Sequence, residues 1–547
     1  MAEDLGDLLA KVLPAGVEIT VRHVSSTPTP SAALFAPAPG DAAEPTFCEN
    51  HFLSVSIESP DDGGEIIVFG LEVLVYNTAH LTTIFVSKAD STGFLHLLKV
   101  PQKVSVLRLV SNTFLSFLAR TRQRPGVRLV ISLFARAQNQ YLFPGSIENA
   151  EKHVLDDRGL IKWWCRAVDP ILREHEAESV STETKPLDQT VEATKASATA
   201  YLVVPGCEPF ETRSLFPITA KADTPSHRRW LSSYPLHQLC HDPSAPPRCL
   251  IPRLPDDPKT RFLVDLDDEL PEPVEGEALS PNAGQWRSVR SLDQFWEMMS
   301  FRQECSSGRL VGFLWLVINP PGLMNSTSMA SQARPSTQTV PPSKDADVSK
   351  ATPDEEQSQK TSSKTEEPDA SEKKEPVTEA SSESRADTTS SFDTHPGVTS
   401  VDLPSKGQSN DANPFSWPQT GRGHMVLSDA DYNKMMNSLM DHFYDRKDVV
   451  ASTKAHIDQV ASLADQLTWG KRVVGTSTLA ETSAPRSAET HQILDLGLIR
   501  KRKKSTSENN SSATDGDQPL PSAPGDTAQP AGVKILNANL VRKKKKT

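Results

Sequence analysis

A long stretch of polar, low-complexity sequence limits how much of this chain can fold. Residues 326–412 consist mainly of Ser, Thr, Glu, Lys, Asp and Pro. Such a composition buries too little apolar surface to offset the conformational entropy lost on folding. We therefore expect four parts, listed in chain order: a core at 1–320 with a surface insertion at 176–198, a disordered acidic linker at 321–412, a helical segment at 413–475 and a disordered tail at 476–547.

The composition also narrows the class of protein. No run of about 18 apolar residues occurs, and the first residues are acidic and amphipathic, so we expect neither a membrane span nor a secretory signal. The six cysteines form no CxxC pair, which favours a reducing compartment. Cys240, His241 and Cys249 lack a fourth ligand at zinc-finger spacing, so we predict no metal.

Charge is distributed unevenly along the chain. The formal net charge is -12, yet the part from Leu498 onward holds eleven Lys or Arg against four Asp or Glu. An acidic body favours a basic protein partner and argues against direct, sequence-specific binding of nucleic acid.

The basic tail contains an internal repeat. Residues 493–504 and 535–546 read ILDLGLIRKRKK and ILNANLVRKKKK, each with an apolar head and a basic end. Two interpretations remain open: two equivalent ligands for one partner, or two nuclear-import signals.

Periodic apolar residues predict the helices. In the core they recur at helical spacing over residues 5–13, 106–118 and 160–172, where Pro170 should kink or end the helix. Ser291 and Gln294 form a possible capping box for another. Ser428 caps a helix that carries Tyr432 to Phe443, and Val450, Ile457, Val460 and Leu467 indicate a second. This pair should dock on the core, because an independent helical hairpin would bury too little surface to be stable.

Short β-branched and aromatic runs predict the strands. They lie at residues 65–77, 83–87, 127–134 and 310–318, and a turn is expected at 90–93. The fold class is therefore α+β, with a mixed central sheet surrounded by helices and with a long disordered insertion and tail.

Two local groupings can carry chemistry. The string LPDDPKTRF at 254–262 puts Asp256 and Asp257 beside Lys259, so one carboxylate can be ion-paired while the other faces a cleft; the alternative is an ordinary surface turn. Trp163 and Trp164 are adjacent on a predicted helix, about 100° apart, so one can pack in the core while the other lines a slot.

Four strings together carry a family resemblance. Besides LPDDPKTRF they are IFVSKADSTGF at 84–94, NQYLFP at 139–144 and KHVLDDRGLIKWW at 152–164. As an ordered set they closely resemble the fungal histone acetyltransferases known as regulator of Ty1 transposition. That resemblance implies an acetyltransferase fold related to the CREB-binding-protein type, with acetyl-CoA as co-substrate. The usual N-acetyltransferase fingerprint is absent, since residues 123–128 read QRPGVR.

The resemblance also implies site residues. It makes Asp257 a proton acceptor, Lys259 a buried autoacetylated lysine, and Asp90 and Trp164 members of the active site beside Asp256. Acetyl-CoA contacts are implied at Ala89, Asp90, Ser91, Phe134, Arg136, Gln138, Tyr141, His153, Val154, Leu155 and Trp163. A cofactor loop is assigned to Leu98, Lys99, Val100, Pro101 and Gln102, in which Lys99 would meet phosphate.

The implied function is acetylation of histone H3–H4 in the nucleus, including lysine fifty-six of H3. The family depends on an anti-silencing-function chaperone and a nucleosome-assembly-type chaperone, and it acts in chromatin assembly, transcription regulation and DNA repair after damage. The alternative is a non-catalytic scaffold for histones or chaperones that kept the fold. Presence of Asp90, Trp164, Asp257 and Lys259 favours the enzyme.

Overall fold

A mixed β-sheet is the centre of the molecule. The computed structural model describes residues 3–61, 63–98, 100, 104–178, 195–240, 242–270, 284–302, 309–323 and 414–478. Within them the strands are β1 Glu18–Ser26, β2 Thr29–Ser31, β3 Thr46–Glu58, β4 Glu65–Asn77, β5 Leu81–Ser91, β6 Arg128–Ala135, β7 Ser197–Val203, β8 Trp230–Leu231, β9 Gly312–Asn319, β10 Met425–Leu427 and β11 Lys471–Val474. Their order is β10-β1-β3-β4-β5-β6-β9-β7-β8, while β11 also pairs with β1 and β2 with β3.

Helices cover both faces of this sheet. They are α1 Leu5–Val12, α2 Val106–Arg122, α3 Asp157–Arg173, α4 Pro209–Arg213, α5 Leu236–Leu239, α6 Pro258–Asp267, α7 Leu292–Met299, α8 Asp429–Asp441 and α9 Val449–Leu463. Helix α2, which equals α3 in length, connects the parallel strands β5 and β6. No helix in the part of the chain that the structure describes has the length and apolarity needed to cross a bilayer.

Apolar side chains on the two faces of the sheet form two separate cores. On β6, Ile131 belongs to one buried cluster and Val130 to the other, because successive side chains of a strand point to opposite faces. The first cluster packs α1, α2, α3 and α8 against the sheet, and the second packs α6 and α7. Both cores meet at β5 and β6, the strands that lead into the site.

The segment 414–478 is built into the sheet. Strands β10 and β11 pair with successive parts of β1, and Met435, Leu439 and Val460 are buried in the first cluster. The segment therefore packs on the core, and an independent hairpin is excluded. The sequence interpretation was wrong at Leu467, which is 99% exposed and lies beyond the end of α9. The tail repeats lie outside the described residues.

Three further expectations need correction. The turn expected at 90–93 begins later, because residues 88–91 continue β5 by pairing with β4 beyond a bulge at Glu72 and Val73. Pro170 does not end α3, which continues to Arg173. Strand β7 begins at Ser197, so the last two residues of the expected insertion belong to the sheet; residues 179–194 are outside the described ranges.

Candidate active site

A cavity opens where β5 ends, beside the start of α3. Its walls surround about 940 Å³ of empty space, part of which is open to solvent. The wall is formed by Phe69, Val86, Ser87, Lys88, Ala89, Asp90, Ser91, Leu107, Phe134, Arg136, Ala137, Gln138, Tyr141, Lys152, His153, Val154, Leu155, Leu160, Trp163 and Trp164.

Most positions implied for acetyl-CoA meet on this wall. All of those outside the loop at 98–102 line it, although they come from β5, β6, α3 and two loops. The two described residues of that loop, Leu98 and Val100, do not line the cavity. Leu98 lines a different pocket with Leu97 and Arg472, and Val100 packs on the apolar core. Lys99, Pro101 and Gln102 are outside the described residues.

The carboxylate of Asp90 anchors the loop at 139–144. Its Oδ2 accepts backbone N–H bonds from Tyr141 at 2.7 Å, Leu142 at 3.0 Å and Phe143 at 3.3 Å. Its Oδ1 accepts from Lys152 Nζ at 2.9 Å and from the Ser91 amide at 2.8 Å. With both oxygens fully engaged, Asp90 fixes the shape of the cavity wall.

The two tryptophans form one corner of the cavity. Their ring centroids lie 4.9 Å apart at 87°, and both rings line the wall. Trp164 is also part of the buried core, so it combines the packing and lining roles that sequence analysis assigned to separate residues. Asp156 caps the N-terminus of the helix that carries them, and its Oδ1 accepts the Gly159 amide at 2.6 Å.

Arg136 supplies positive charge to the wall. Its Nε donates to Tyr141 Oη at 3.3 Å, and its guanidinium lies 5.9 Å from the Phe134 ring centroid. When the Gln138 amide oxygen faces the guanidinium, it accepts from Arg136 Nη2 at 2.6 Å. Among the described residues no carboxylate pairs with Arg136, so its charge can meet an anionic ligand.

Lys88 joins the cavity to the loop before α6. Its Nζ lies 2.9 Å from Glu72 Oε2 and 3.2 Å from Asp256 Oδ2. Burial alone would lower the pKa of Lys88, but the two carboxylates outweigh it and raise the pKa. Asp256 has a left-handed backbone with φ of 57° and a side chain that is 52% exposed. Lys88 therefore stays charged and holds Asp256 near the cavity.

Asp257 and Lys259 form a buried ion pair behind that loop. Asp257 caps α6, with Oδ1 accepting the Lys259 amide at 2.9 Å and Oδ2 lying 2.5 Å from Lys259 Nζ. Each side chain is 1% exposed, and the ammonium lies 4.1 Å from the Phe313 ring centroid. Burial lowers the pKa of Lys259, although Asp257 opposes the shift. The exposed surface turn considered from sequence is excluded, and neither residue lines the cavity.

Sequence analysis did not assign several wall residues. Lys88 and Lys152 lie inside two of the four strings that carry the family resemblance, so their position in those strings could have identified them as wall residues. Leu107 and Leu160 belong to helices whose apolar spacing was recognised, but spacing alone does not distinguish core from cavity. The remaining unassigned residues are Phe69, Val86, Ser87 and Ala137.

The cysteines considered for zinc have other partners. Cys240 Sγ donates to Leu250 O at 3.2 Å and Cys249 Sγ donates to Pro37 O at 3.3 Å, whereas His241 lies outside the described residues. Across the ranges that the structure describes, no three His, Cys, Asp or Glu side chains are grouped to hold a metal ion.

This wall is chemically suited to transfer of an acyl group from a coenzyme thioester. Arg136 can bind phosphate, and the tryptophan corner offers an apolar surface for the acyl group. An amine that enters an apolar slot loses hydration, which favours its neutral, nucleophilic form. The wall thus combines anion binding with desolvation.

Comparison with known proteins agrees with this chemistry. The model of the histone acetyltransferase KAT11-type domain matches residues 5–128 and 123–459. A histone acetyltransferase rtt109 of Aspergillus flavus is 57% identical over 566 residues, covering 99% of both chains. The rtt109 protein of Schizosaccharomyces pombe is 31% identical over 311 residues, which are 57% of this chain and 70% of that protein.

A solved structure agrees as well. The crystal structure of Rtt109 from Aspergillus fumigatus matches with a TM-score of 0.68 and 56% identity, covering 87% of this chain and 99% of that one. The predicted α+β fold and the family resemblance are confirmed, and the scaffold alternative loses its support. The chain therefore belongs to the Rtt109 family of KAT11-type histone acetyltransferases and is an acyltransferase that uses acetyl-CoA.

Proposed function

We propose that this enzyme acetylates lysines of histone H3 within H3–H4, including lysine fifty-six, in the nucleus. The observation that carries the proposal is the convergence of the implied acetyl-CoA positions on the cavity anchored by Asp90. The net charge of -12, in a chain with a basic tail, supports a basic protein substrate.

Each part of the wall has a proposed task. Arg136 binds phosphate of the coenzyme, and backbone groups at 89–91 and 153–155 hold its thioester end. Acetyl-CoA supplies an activated acyl carbon; the substrate amine nitrogen forms the new C–N bond as the C–S bond breaks, and the thiolate leaves. Trp163 and Trp164 exclude water from the incoming amine.

The proton of the substrate amine needs an acceptor. Asp256 is the accessible carboxylate, held by Lys88 at 3.2 Å. Asp257 can accept a proton only when Lys259 does not occupy its Oδ2, which lies 2.5 Å from Nζ. Both carboxylates are proposed catalytic groups, and Asp90 is proposed to act by positioning the loop at 139–144.

We propose that autoacetylation of Lys259 frees Asp257. Acetylation removes the positive charge of Lys259 and with it the ion pair, in a site where both side chains are 1% exposed. The lowered pKa of Lys259 favours the neutral amine that acetylation requires. Peptide mass spectrometry after incubation with acetyl-CoA tests this; heavy modification elsewhere with Lys259 unmodified would contradict it.

A substitution tests the role of Asp257. Asp257→Asn keeps the side-chain shape and should lower turnover on H3–H4 by about a hundredfold, the usual effect of a positioned acid–base group. Asp441→Asn, on the exposed surface of α8, is the matched control and should leave turnover unchanged. An unchanged rate in folded Asp257→Asn protein removes Asp257 from the mechanism.

Substrate presentation is a separate proposal. An anti-silencing-function chaperone and a nucleosome-assembly-type chaperone are proposed to present H3–H4 and to direct acetylation in chromatin assembly and DNA repair. The test is to map acetylated lysines by mass spectrometry with free H3–H4 and with each chaperone complex. Identical rates and sites in all three mixtures would count against the chaperone requirement.

The tail repeats support the nuclear assignment but allow two interpretations. Peptides 493–504 and 535–546, separate and joined, can be titrated with the chaperone–histone complex. Joining two binding peptides should raise apparent affinity well above that of either alone. No binding by any peptide, together with loss of nuclear import when both are deleted, would leave import as their role.

A further inference from the structure

The C-terminal part of the fold reaches the loop that Asp90 anchors. Tyr444 lies between α8 and α9, and its amide donates to Pro144 O at 2.7 Å. Its ring packs edge-on against Phe143, with centroids 4.9 Å apart. The Phe143 amide is one of the three that donate to Asp90. The segment at 443–445 therefore supports the anchored loop.

Asn149 connects three parts of the chain at this point. Its Nδ2 donates to Thr92 O at 2.7 Å, just after β5, and to Tyr444 O at 2.9 Å. Its backbone carbonyl oxygen accepts the Lys152 amide at 2.9 Å. The residue is only 7% exposed, so water does not readily replace these bonds. Asn149 thus joins the end of β5, the C-terminal segment and the chain that leads to Lys152.

Close backbone packing leaves this connection little freedom. Gly93 has φ of 97°, and a Cβ there would lie 2.9 Å from Lys152 Cβ and 3.0 Å from its Cα. Gly145 has φ of 75°, and a Cβ there would lie 3.0 Å from Phe443 Cδ1. Residues 145–152 are therefore held between the end of β5 and the C-terminal segment, at distances that only glycine permits.

The held residues lead directly into the cavity wall. Lys152, His153, Val154 and Leu155 line it, whereas Asn149 does not. Lys152 also pairs with Asp90, so a shift of residues 149–152 would disturb the loop at 139–144 as well. A displacement of about 1 Å is enough to lower the efficiency of a preorganised site substantially.

We propose that Asn149 is a positioning residue for acetyl-CoA, through which the C-terminal segment at Tyr444 fixes the cavity wall. The inference rests on the proposed assignment of this cavity to acetyl-CoA. Asn149 acts through Lys152–Leu155 and does not touch the co-substrate itself. By linkage, binding at the wall must stabilise the contacts at Tyr444 to the same extent that those contacts favour binding.

A substitution at Asn149 distinguishes an effect on acetyl-CoA binding from a general loss of folding stability. Asn149→Asp keeps the shape but sets a carboxylate oxygen against the carbonyl oxygens of Thr92 and Tyr444. Loss of two such bonds should raise KM for acetyl-CoA about tenfold or more. KM for histone and kcat should change by less than about threefold, because the side-chain hydrogen bonds of Asn149 within the described residues go to Thr92 and Tyr444 and not to the tryptophan corner or Asp256.

The matched control is Asn433→Ala. Asn433 is an exposed asparagine of α8 whose Nδ2 donates to Asp429 Oδ2 at 3.1 Å. It should leave both KM values unchanged. For Asn149→Asp, an unchanged KM for acetyl-CoA, or an equal rise in both KM values, overturns the proposal even when the melting temperature falls.

A measurement on the unmodified full chain keeps the proposal testable if Asn149→Asp does not fold. Amide hydrogen exchange is followed by mass spectrometry with and without acetyl-CoA. Slower exchange in peptides covering both 153–155 and 443–449 is expected. Protection at 153–155 without protection at 443–449 overturns the Asn149 connection alone, whereas no protection at either site overturns the cavity assignment as well.

Discussion

Asp90 and Lys152 form a buried ion pair on the wall of the cavity, with Lys152 Nζ 2.9 Å from Asp90 Oδ1. The side chains are 8% and 4% exposed, respectively. Sixty-two positions separate the two residues in sequence, yet this contact fixes two loops of the site relative to each other. It makes Asp90 a structural requirement of the cavity.

Asp90→Asn should destabilise the protein strongly. The variant keeps the size of the side chain but leaves the ammonium of Lys152 buried without a counter-charge, which typically costs about 3–5 kcal/mol. Urea denaturation measures the change in the free energy of unfolding. Asp431→Asn, at the surface pair with Lys434, is the control and should change the free energy of unfolding far less, because solvent screens such a pair.

A double variant distinguishes the ion pair from other effects. Asp90→Asn combined with Lys152→Met removes the uncompensated charge and should recover part of the lost stability. Equal destabilisation in the single and double variants would show that the backbone bonds to Asp90 Oδ2 dominate.

Self-acetylation of Lys259 should have an unusual pH profile. Burial lowers the pKa of Lys259 from the ordinary 10.5, so its neutral amine is reached at lower pH than that of an exposed lysine. Its acetylation rate should rise with pH and level off earlier than the rate on a short lysine peptide. Quantitative mass spectrometry across pH 7 to 10 provides the comparison, and parallel profiles would contradict a buried reacting amine.

Lys88→Met should lower turnover by about tenfold. The substitution retains the aliphatic stem but releases Asp256, whose positive φ already leaves its loop in a less favoured conformation. Steady-state kinetics on H3–H4 would measure the effect. Lys434→Met on exposed α8 is the control; equal activity in both variants would mean that Lys88 does not orient Asp256.

Removal of the C-terminal segment should unfold the core, whereas removal of the linker should not. Truncation after residue 413 uncovers the edge of β1 that β10 and β11 cover and removes Met435, Leu439 and Tyr444 from the first cluster. Replacing 326–412 with a short Gly/Ser linker removes little apolar sequence. Thermal melts compare the two, and similar melting temperatures would contradict the packing role of the segment.

His456 should make the protein sensitive to acid. Burial lowers the pKa of His456 from 6.5 to about 3, and neither ring nitrogen has a hydrogen-bond partner within the described residues. Below pH 6.5 His456 takes up a proton in the unfolded chain, whereas it stays neutral in the folded chain. The contribution of His456 to the free energy of unfolding is therefore fully present above pH 6.5, and it falls by up to about 1.4 kcal/mol per pH unit toward pH 3.

His456→Phe tests that contribution. The ring would still pack against Phe52, which His456 contacts edge-on at 5.8 Å, but it cannot titrate. The free energy of unfolding should then depend less on pH between 7.5 and 5. The exposed His237→Phe is the control. The same pH slope in His456→Phe and unmodified protein would assign the acid sensitivity to other groups.

Local patterns predicted the elements whose signal is strong. The helices α2, α3 and α8 and the strands β4, β6 and β9 follow from apolar periodicity, since each presents a continuous buried face. Sequence analysis did not assign β1, β3 or β7. In β3, His51 and Ser54 are buried beside Phe52 and Leu53, so a strand covered on both faces shows no polar–apolar alternation.

The sequence alone determined the family, the α+β class and most residues of the cavity wall, because ordered strings such as FVSKAD and KWW carry that information locally. Only the tertiary structure decided what those residues do for one another. Asp90 accepts hydrogen bonds from Ser91 and from donors at residues 141–152, Asp257 is buried against Lys259, and Lys88 bridges to Asp256. Asn149 meets Tyr444 across 295 positions. Such contacts depend on how distant elements pack, and burial then sets the strength of each charge and hydrogen bond.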